Sequence, residues 1–315
     1  MPLLRSAARL LTAGSAFVLL SAAAEAQVRY IAATGKDSSN NCQSAATPCR
    51  SLAHGVAATP AGGELRILDS GLYGNGLINK TMTISADGET VMLDNPLSID
   101  AASSVVTLEG LSLNGRNSVV KGIYVTNAAA VHIKNCRVER FASNGIDSTS
   151  SNTELFVTDS VSRDNGGVGL AVRGTSAQLT VDNSRFENNA SGLAGNGVVG
   201  TITGAVISGN ASDGLDWVGG SLNVVSSVAS DNGRHAYTVS GGGRMNLESS
   251  AAHGNGLAAL FVLTPSDVAS ISNFAATNDG YGISNSGTVL TRQNNTFYAN
   301  TWGNQGALPK PLPPV

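Results

Sequence analysis

The sequence predicts an all-β chain folded as a right-handed parallel β-helix, a solenoid of about 22–24 residues per coil behind a short N-terminal capping helix. Three columns of residues predict it. Small residues followed by an apolar one recur at Gly122-Ile123, Gly145-Ile146, Gly169-Leu170, Gly192-Leu193, Gly214-Leu215, Ala236-Tyr237, Ala259-Leu260 and Gly282-Ile283, 22–24 residues apart. A second column lies nine to twelve residues upstream: Gly110, Asn135, Asp159, Asn183, Gly204, Ser226, Ser249, Asn273 and Asn294. A third follows the second by six: Asn165, Asn189, Asn210, Asn232, Asn255, Asp279 and Asn300. Such a fixed period marks a stack of identical structural units.

Between the columns, apolar residues alternate with polar ones, as in Leu179-Thr-Val181, Leu222-Asn-Val224 and Met245-Asn-Leu247. That period of two belongs to strands with one face inward. Each repeat is too short for a strand plus a crossover helix, which needs about 30 residues. Leu, Val, Ile and Met interchange at the apolar positions, unlike a leucine-rich repeat, and neither the calcium-binding nonapeptide nor a hexapeptide period occurs. Asn, Asp and Gly suit the left-handed backbone of a sharp corner between strands. Stacked amides can hydrogen-bond along the axis as a ladder, and the Gly/Ala column is expected to let the backbone turn tightly.

Composition agrees. Of 315 residues only 13% are charged and 5% aromatic, yet 42% are hydrophobic; Gly numbers 37 and Lys five. A helical bundle would be richer in Leu, Glu and Lys, and a disordered chain poorer in apolar residues. Net charge is −3 with no basic block, which argues against a nucleic-acid partner.

Taken in order, residues 1–26 read as a signal peptide: Arg5 and Arg9 precede an apolar stretch over 10–24, and Ala24-Glu25-Ala26 fits the cleavage rule. The apolar run is shorter than the ~20 residues that span a bilayer. Its removal leaves a net charge of −4 and no later membrane span, so the product is expected to be secreted or periplasmic. Residues 27–62 form an N-terminal segment in which Cys42 and Cys49 are expected to pair as a disulfide; two thiolates without a third ligand nearby make a poor zinc site. Thr47 and Pro48 read as N-cap and first residue of the capping helix, with Leu52, Ala53, Val56 and Ala57 on its inner side. Residues 63–303 form the β-helix, in which Cys136 reads as a structural thiol. Residues 304–315 form a proline-rich tail unable to continue a sheet.

The opening Arg29-Tyr-Ile-Ala-Ala-Thr-Gly-Lys-Asp37, with Asn41-Cys42, Thr47-Pro-Cys49-Arg-Ser-Leu-Ala53 and Gly62-Gly-Glu-Leu-Arg-Ile-Leu-Asp-Ser-Gly71, resembles bacterial secreted right-handed parallel β-helix proteins of the pectin-lyase-like superfamily. The resemblance covers the whole mature chain. It implies the fold and leaves the activity open, because that superfamily holds polysaccharide lyases, polygalacturonases, epimerases, phage tailspikes and adhesins. A calcium-dependent pectate lyase would need an acidic cluster with an Arg or Lys base. A polygalacturonase would need Asn-Thr-Asp and Asp-Asp with Gly-His-Gly, strings this sequence lacks.

Asp147 and Asp216 share one outward column but lie three coils apart, ~14 Å at the strand spacing. That is beyond the ~5–9.5 Å of glycosidase carboxylate pairs. Asp213 and His235 should stack on adjacent coils, with Asp216 on the coil of Asp213 and with Asp231 and Arg234 beside His235. Asp213, Asp216, Asp231 and His235 are thus the catalytic candidates, as an acid–base group or as a charged turn stack. Tyr124, Asp147 and Phe261, in the outward column of Asp216, are the ligand-binding candidates, while Trp217 should point into the core. His54 falls on the lid helix and His132 on an outward strand position, both structural in role. No cofactor or metal is expected.

Three classes of function fit. The favoured one is a non-catalytic recognition or surface module binding extracellular or cell-wall polysaccharide. The alternative is a polysaccharide lyase or glycoside hydrolase acting on acidic glycans, and the third a structural adhesin or envelope component.

Overall fold

In the computed structural model, which describes residues 27–312, the chain winds into a parallel β-helix of about 11 turns with a single short helix. The expected signal peptide, residues 1–26, lies outside the described residues. One coil shows the plan. Leu215–Val218 lies in a first sheet, Ser221–Val225 in a second and Val228–Ser230 in a third. Register shifts occur in the first coils, at residues 72–76 and 99–105, and from the Ile123 coil onward residues stack without slippage. Leu215 sits between Leu193 and Tyr237, Leu222 between Gly200 and Met245, and Ala229 between Ile207 and Ala252. Alternation sends Leu222 and Val224 into a continuous core while Asn223 between them faces out. Trp217 is buried as expected, its ring packed where Gly195 of the preceding coil has no side chain; a Cβ there would come within 2.2 Å of the indole.

The corners follow the second column. Asn135, Asp159, Asn183, Ser226, Ser249 and Asn273 have φ between 46° and 50°, and Gly110 and Gly204 have φ of 67° and 63°. Side chains that tolerate the left-handed region thus set where the second sheet ends and the third begins. In the last coil the left-handed residue is Gln293 rather than Asn294.

The third column forms the buried ladder that the repeat predicts. From Asn189 to Asp279 each side-chain Oδ1 accepts from the backbone N–H and the Nδ2 of the Asn one coil earlier. Asn210 Nδ2 donates to Asn232 at 2.9 Å, Asn232 to Asn255 at 2.9 Å and Asn255 to Asp279 at 2.8 Å. The same Nδ2 groups donate to backbone carbonyls of the preceding coil, as Asn232 does to Ile207. A parallel ladder of hydroxyls runs through Ser160 and Ser184 and again through Ser227 and Ser250, interrupted at Ala205, whose N–H still donates to Ser227. Cys136 occupies one rung of it, donating to the Lys134 carbonyl, and burial pushes its thiol up to about 11. The thiol is inert at neutral pH, as a structural cysteine should be.

The ladder also corrects the role of the small-residue column. Gly145, Gly169, Gly192, Gly214 and Gly282 are not in the left-handed region. A Cβ at Gly145, Gly169, Gly192 or Gly214 would approach a ladder Asn Nδ2 to 2.7–2.9 Å. Close approach of the next coil, its carbonyl and core side chains together with the ladder amide, rather than a tight turn, keeps these positions small. The coils at Ala236 and Ala259 accommodate a methyl group.

At the N-terminus, Val28–Ile31 already pairs with Glu64–Ile67, so the solenoid begins before residue 63. Cys42 and Cys49 form a disulfide, with Cα atoms 5.1 Å apart. The capping helix spans Leu52–Ala58 and its N-cap is Ser51, whose Oγ accepts from the His54 amide. Thr47 and Pro48 do not start it. Cys49 exchanges backbone hydrogen bonds with Tyr30 and Ala32 and is extended beside Ile31, so helical geometry is first available beyond it. Leu52, Gly55 and Val56 form the inner side, whereas Ala53 and Ala57 face out. Gly55 lets the helix lie flush on Ile31 and Leu65, where a Cβ would clash at 2.7–2.8 Å. At the other end, Asn304–Gly306 and Lys310–Pro311 still pair in parallel with the preceding coil. The proline tail therefore adds a final pairing beyond residue 303: Leu312 supplies the N–H that Pro311 lacks, donating to Thr291.

Asp279 is the one carboxylate in the amide ladder. Its Oδ2 stands where neighbouring coils carry an Nδ2 donor, and it is buried with no hydrogen-bond partner among the described residues. Burial raises the pKa of Asp279, with hydrogen bonds from Asn255 opposing. A carboxyl whose folded pKa is raised is best tolerated when protonated, and its cost grows as pH climbs through that value. Asp279→Asn should therefore stabilise the protein by about 1–3 kcal/mol near neutral pH, a gain that vanishes towards pH 3. Thermal melts of both proteins across that range check this; a gain independent of pH would contradict it. Replacing Cys42 and Cys49 with Ser should cost about 2–3 kcal/mol and make residues 36–51 sensitive to limited proteolysis, with later coils unaffected. An unchanged digestion pattern would remove the disulfide's role in holding the lid.

Candidate functional site

Two columns run side by side, one on the outward positions of the first sheet and one at its leading edge, where its strands begin. One residue after each inward apolar position stand Tyr124, Asp147, Ala171, Ala194, Asp216, Thr238, Phe261, Ser284 and Gln305, in register. Two residues before it stand Lys121, Asn144, Val168, Ser191, Asp213, His235, Ala258, Tyr281 and Trp302. The nine rungs make a strip ~38 Å long at the strand spacing.

Near the middle, the structure brings together Asp213, Asp216 and His235. The His235 amide donates to Asp213 Oδ1 at 3.2 Å, and Arg234 lies 3.5 Å from Asp213 Oδ2. Phe261, one coil further, stacks on the His235 ring with centroids 4.3 Å apart and planes 14° from parallel. That contact uses one aromatic face, so Phe261 is a cover for the imidazole before it is a platform. Burial lowers the His235 pKa, with Asp213 opposing and Arg234 assisting, so the ring is neutral at physiological pH. Asp216 is raised by burial first and by Asp213 second. His235 Nδ1 and Thr238 Oγ1 are buried with no partner among the described residues. The cluster therefore sets a carboxylate paired with Arg234 beside a carboxyl inclined to hold its proton and a neutral imidazole, with the Thr238 hydroxyl buried beneath them.

Towards the N-terminal end, Asp147 is buried and held by two cations. Lys121 Nζ lies 2.7 Å from one carboxylate oxygen and Arg173 2.7 Å from the other. Lys121 also sits over the Tyr124 ring at 3.8 Å, a favourable placement for a cation. Asp147 is thereby an anchor for Lys121 and Arg173, which remain part-exposed, rather than a free carboxylate. Lys121, Arg173 and Trp302 escape sequence reasoning because each occurs once in its column and breaks no repeat.

Asp231 stands apart. It is a left-handed corner residue with φ of 55°, its amide donating to the His253 carbonyl, and it makes no hydrogen bond or ion pair with Asp213, Asp216 or His235. The corner puts it at the end of the third sheet, one side of the coil away. His132 faces out and stacks on Phe156 at 4.6 Å, and His54 Nε2 lies 2.8 Å from the Asn40 carbonyl in the lid. Among the described residues, Cys42, Cys49 and His54 come within 4.8 Å of one another. The third donor that sequence spacing did not show is present, but the two sulfurs are joined to each other and are not thiolate ligands.

Residues 90–198 match the family of the right handed beta helix region. No curated protein matches the chain in sequence. Among solved structures, pectate lyase Pel9A is 18% identical with a TM-score of 0.60 over 87% of this chain and 76% of its own. The A-module of Azotobacter vinelandii mannuronan C-5 epimerase AlgE4 is 15% identical, TM-score 0.57, over 79% and 90%. The Agl-KA catalytic domain is 16% identical, TM-score 0.57, over 79% of this chain and 62% of its own. At these identities the likeness establishes the pectate-lyase-like right-handed β-helix fold.

The electrostatics of the cluster can be read directly. In an NMR titration, His235 should protonate below the usual imidazole value of about 6.5. Phe261→Ala should raise that midpoint by admitting water, and Asp213→Asn should lower it further by removing the opposing charge. Movement in the opposite direction in either variant would contradict the assigned causes.

Proposed function

We propose that this protein is exported and binds a linear extracellular or cell-wall polysaccharide along the first-sheet strip, as a recognition module. The carrying observation is the concentration of ligand-type groups in one line. Lys121, Tyr124 and Arg173 lie towards one end, Asp213 and Asp216 near the middle, and Phe261, Tyr281 and Trp302 towards the other. Between the first two groups, Ala171 and Ala194 leave a floor of small side chains. Small-molecule sites combine such apolar surface with a few placed polar groups, and a row of them on a rigid sheet suits a polymer.

Asp147 is consumed by two ion pairs and Asp213 by Arg234 and the His235 amide, an arrangement that fixes side chains for binding. The disulfide and the Ala24-Glu25-Ala26 cleavage pattern support export. Among the described residues no helix is long and apolar enough to cross a membrane. The polysaccharide-acting names of the structural neighbours agree with a glycan ligand.

A glycan array tests the reading. The purified chain should retain a linear polysaccharide, and the Asp213→Ala/Asp216→Ala variant should bind it at least about tenfold more weakly. Binding to no glycan would overturn it. One observation favours turnover as a second reading: burial inclines Asp216 to hold a proton while Asp213, on the same coil, is paired with Arg234, two carboxyls set apart by environment. New reducing ends or an unsaturated, ultraviolet-absorbing product, abolished by Asp216→Asn, would replace recognition with lyase or hydrolase action.

A further inference from the structure

At the C-terminal end of the strip, Trp302 is 53% exposed, an unusual position for the largest apolar side chain on a chain with only two tryptophans. Its surroundings are specific. The Trp302 amide donates to the Gly280 carbonyl at 2.8 Å, and a Cβ at Gly280 would meet the indole at 2.6 Å. The ring therefore lies flush against the glycine backbone of the preceding coil. Tyr281, the matching residue one coil earlier, meets it with centroids 4.9 Å apart and planes inclined by 53°. Gly303, with φ of 72°, turns the chain directly after the indole. The result is a rigid, two-ring corner backed by main chain and open to solvent, continuous with the columns that carry Phe261 and Asp216.

We propose that Trp302 and Tyr281 form the terminal sugar-stacking subsite of the strip, taking one pyranose ring of a glycan chain that runs parallel to the helix axis. This rests on the polysaccharide-binding reading. Carbohydrate is the occupant that the geometry suits: flat aromatic faces accept the apolar C–H face of a pyranose, and isolated exposed aromatic patches rimmed by polar groups mark binding grooves. Ser284 and Gln305, hydrogen-bonded to each other at 3.2 Å, supply that polar rim.

The chain carries its own reporter. Trp217 is fully buried, so acrylamide reaches only Trp302. A panel of linear hexasaccharides, neutral (cellohexaose, chitohexaose) and acidic (hexagalacturonate, hexamannuronate), is titrated by calorimetry and by acrylamide quenching. The hexasaccharide that binds should protect Trp302 from quenching. Trp302→Ala should weaken its binding about tenfold, or 1.4 kcal/mol, with an unchanged melting profile, and Trp302→Tyr should stay within about threefold of wild type. Calorimetric binding with no quenching protection and an unchanged affinity in Trp302→Ala would overturn the subsite and leave the wider reading standing. Equal loss in the Ala and Tyr variants would overturn stacking as its basis. Ultracentrifugation showing a dimer that Trp302→Ala dissociates would assign the surface to a second copy of the chain instead. No calorimetric binding by any hexasaccharide would overturn the polysaccharide reading and the subsite with it.

Discussion

From the Ile123 coil onward the molecule depends on one constraint, that each coil lies in register on the one before it. Hydrophobic burial drives the winding, but burial is non-directional and a stack of Leu, Ile and Val would tolerate slippage. The asparagine ladder does not. Each side chain in it satisfies a buried backbone N–H of the preceding coil as well as that coil's amide, so a slip of one residue would leave several buried polar groups unpaired. Each such group costs about 1–3 kcal/mol. The interrupted hydroxyl ladder, through Ser160 and Ser184 and through Ser227 and Ser250, repeats the constraint at a second corner.

Register is also what makes a surface from single substitutions. Once coil n sits on coil n+1 at ~4.8 Å, any residue placed in an outward column is aligned with its counterparts along the whole rod. Lys121, Asp147 and Arg173 come from three successive coils, yet they form one closed pair of ion pairs. Asp213, His235 and Phe261 are likewise successive-coil neighbours that assemble a shielded imidazole. The core-facing residues can stay interchangeable among Leu, Ile, Val and Met because specificity of position resides in the ladders.

The repeat made the fold legible, since corner, ladder and inward apolar positions each recur and each has one physical requirement. The role of the Gly column was not legible: a glycine answers equally to a left-handed backbone or to a missing side chain, and only the next coil's carbonyl and ladder amide against Gly169 and Gly214 decide between them. The helix cap misled for a related reason. Thr47-Pro48 obeys the local grammar of a helix start, but Cys49 is already committed to Ile31, a pairing partner 18 residues back. Of the site, the stacking of Asp213 with His235 and the outward column of Tyr124, Asp147, Asp216 and Phe261 could be read from spacing. The partners that define their chemistry could not. Lys121 and Arg173 lie off the named columns, and Asp231 looked close to His235 because four residues of sequence conceal a corner.

The central claim is that a linear polysaccharide lies along the first sheet, parallel to the helix axis. Hydrogen exchange with the array-selected glycan bound tests it most directly. Added protection should appear once per coil over residues 121–126, 144–149, 168–173, 191–196, 213–218, 235–240, 258–263, 281–286 and 302–306, with the second sheet at 221–225 and 244–248 unchanged. Protection confined to the second or third sheet, or to a single coil, would contradict it.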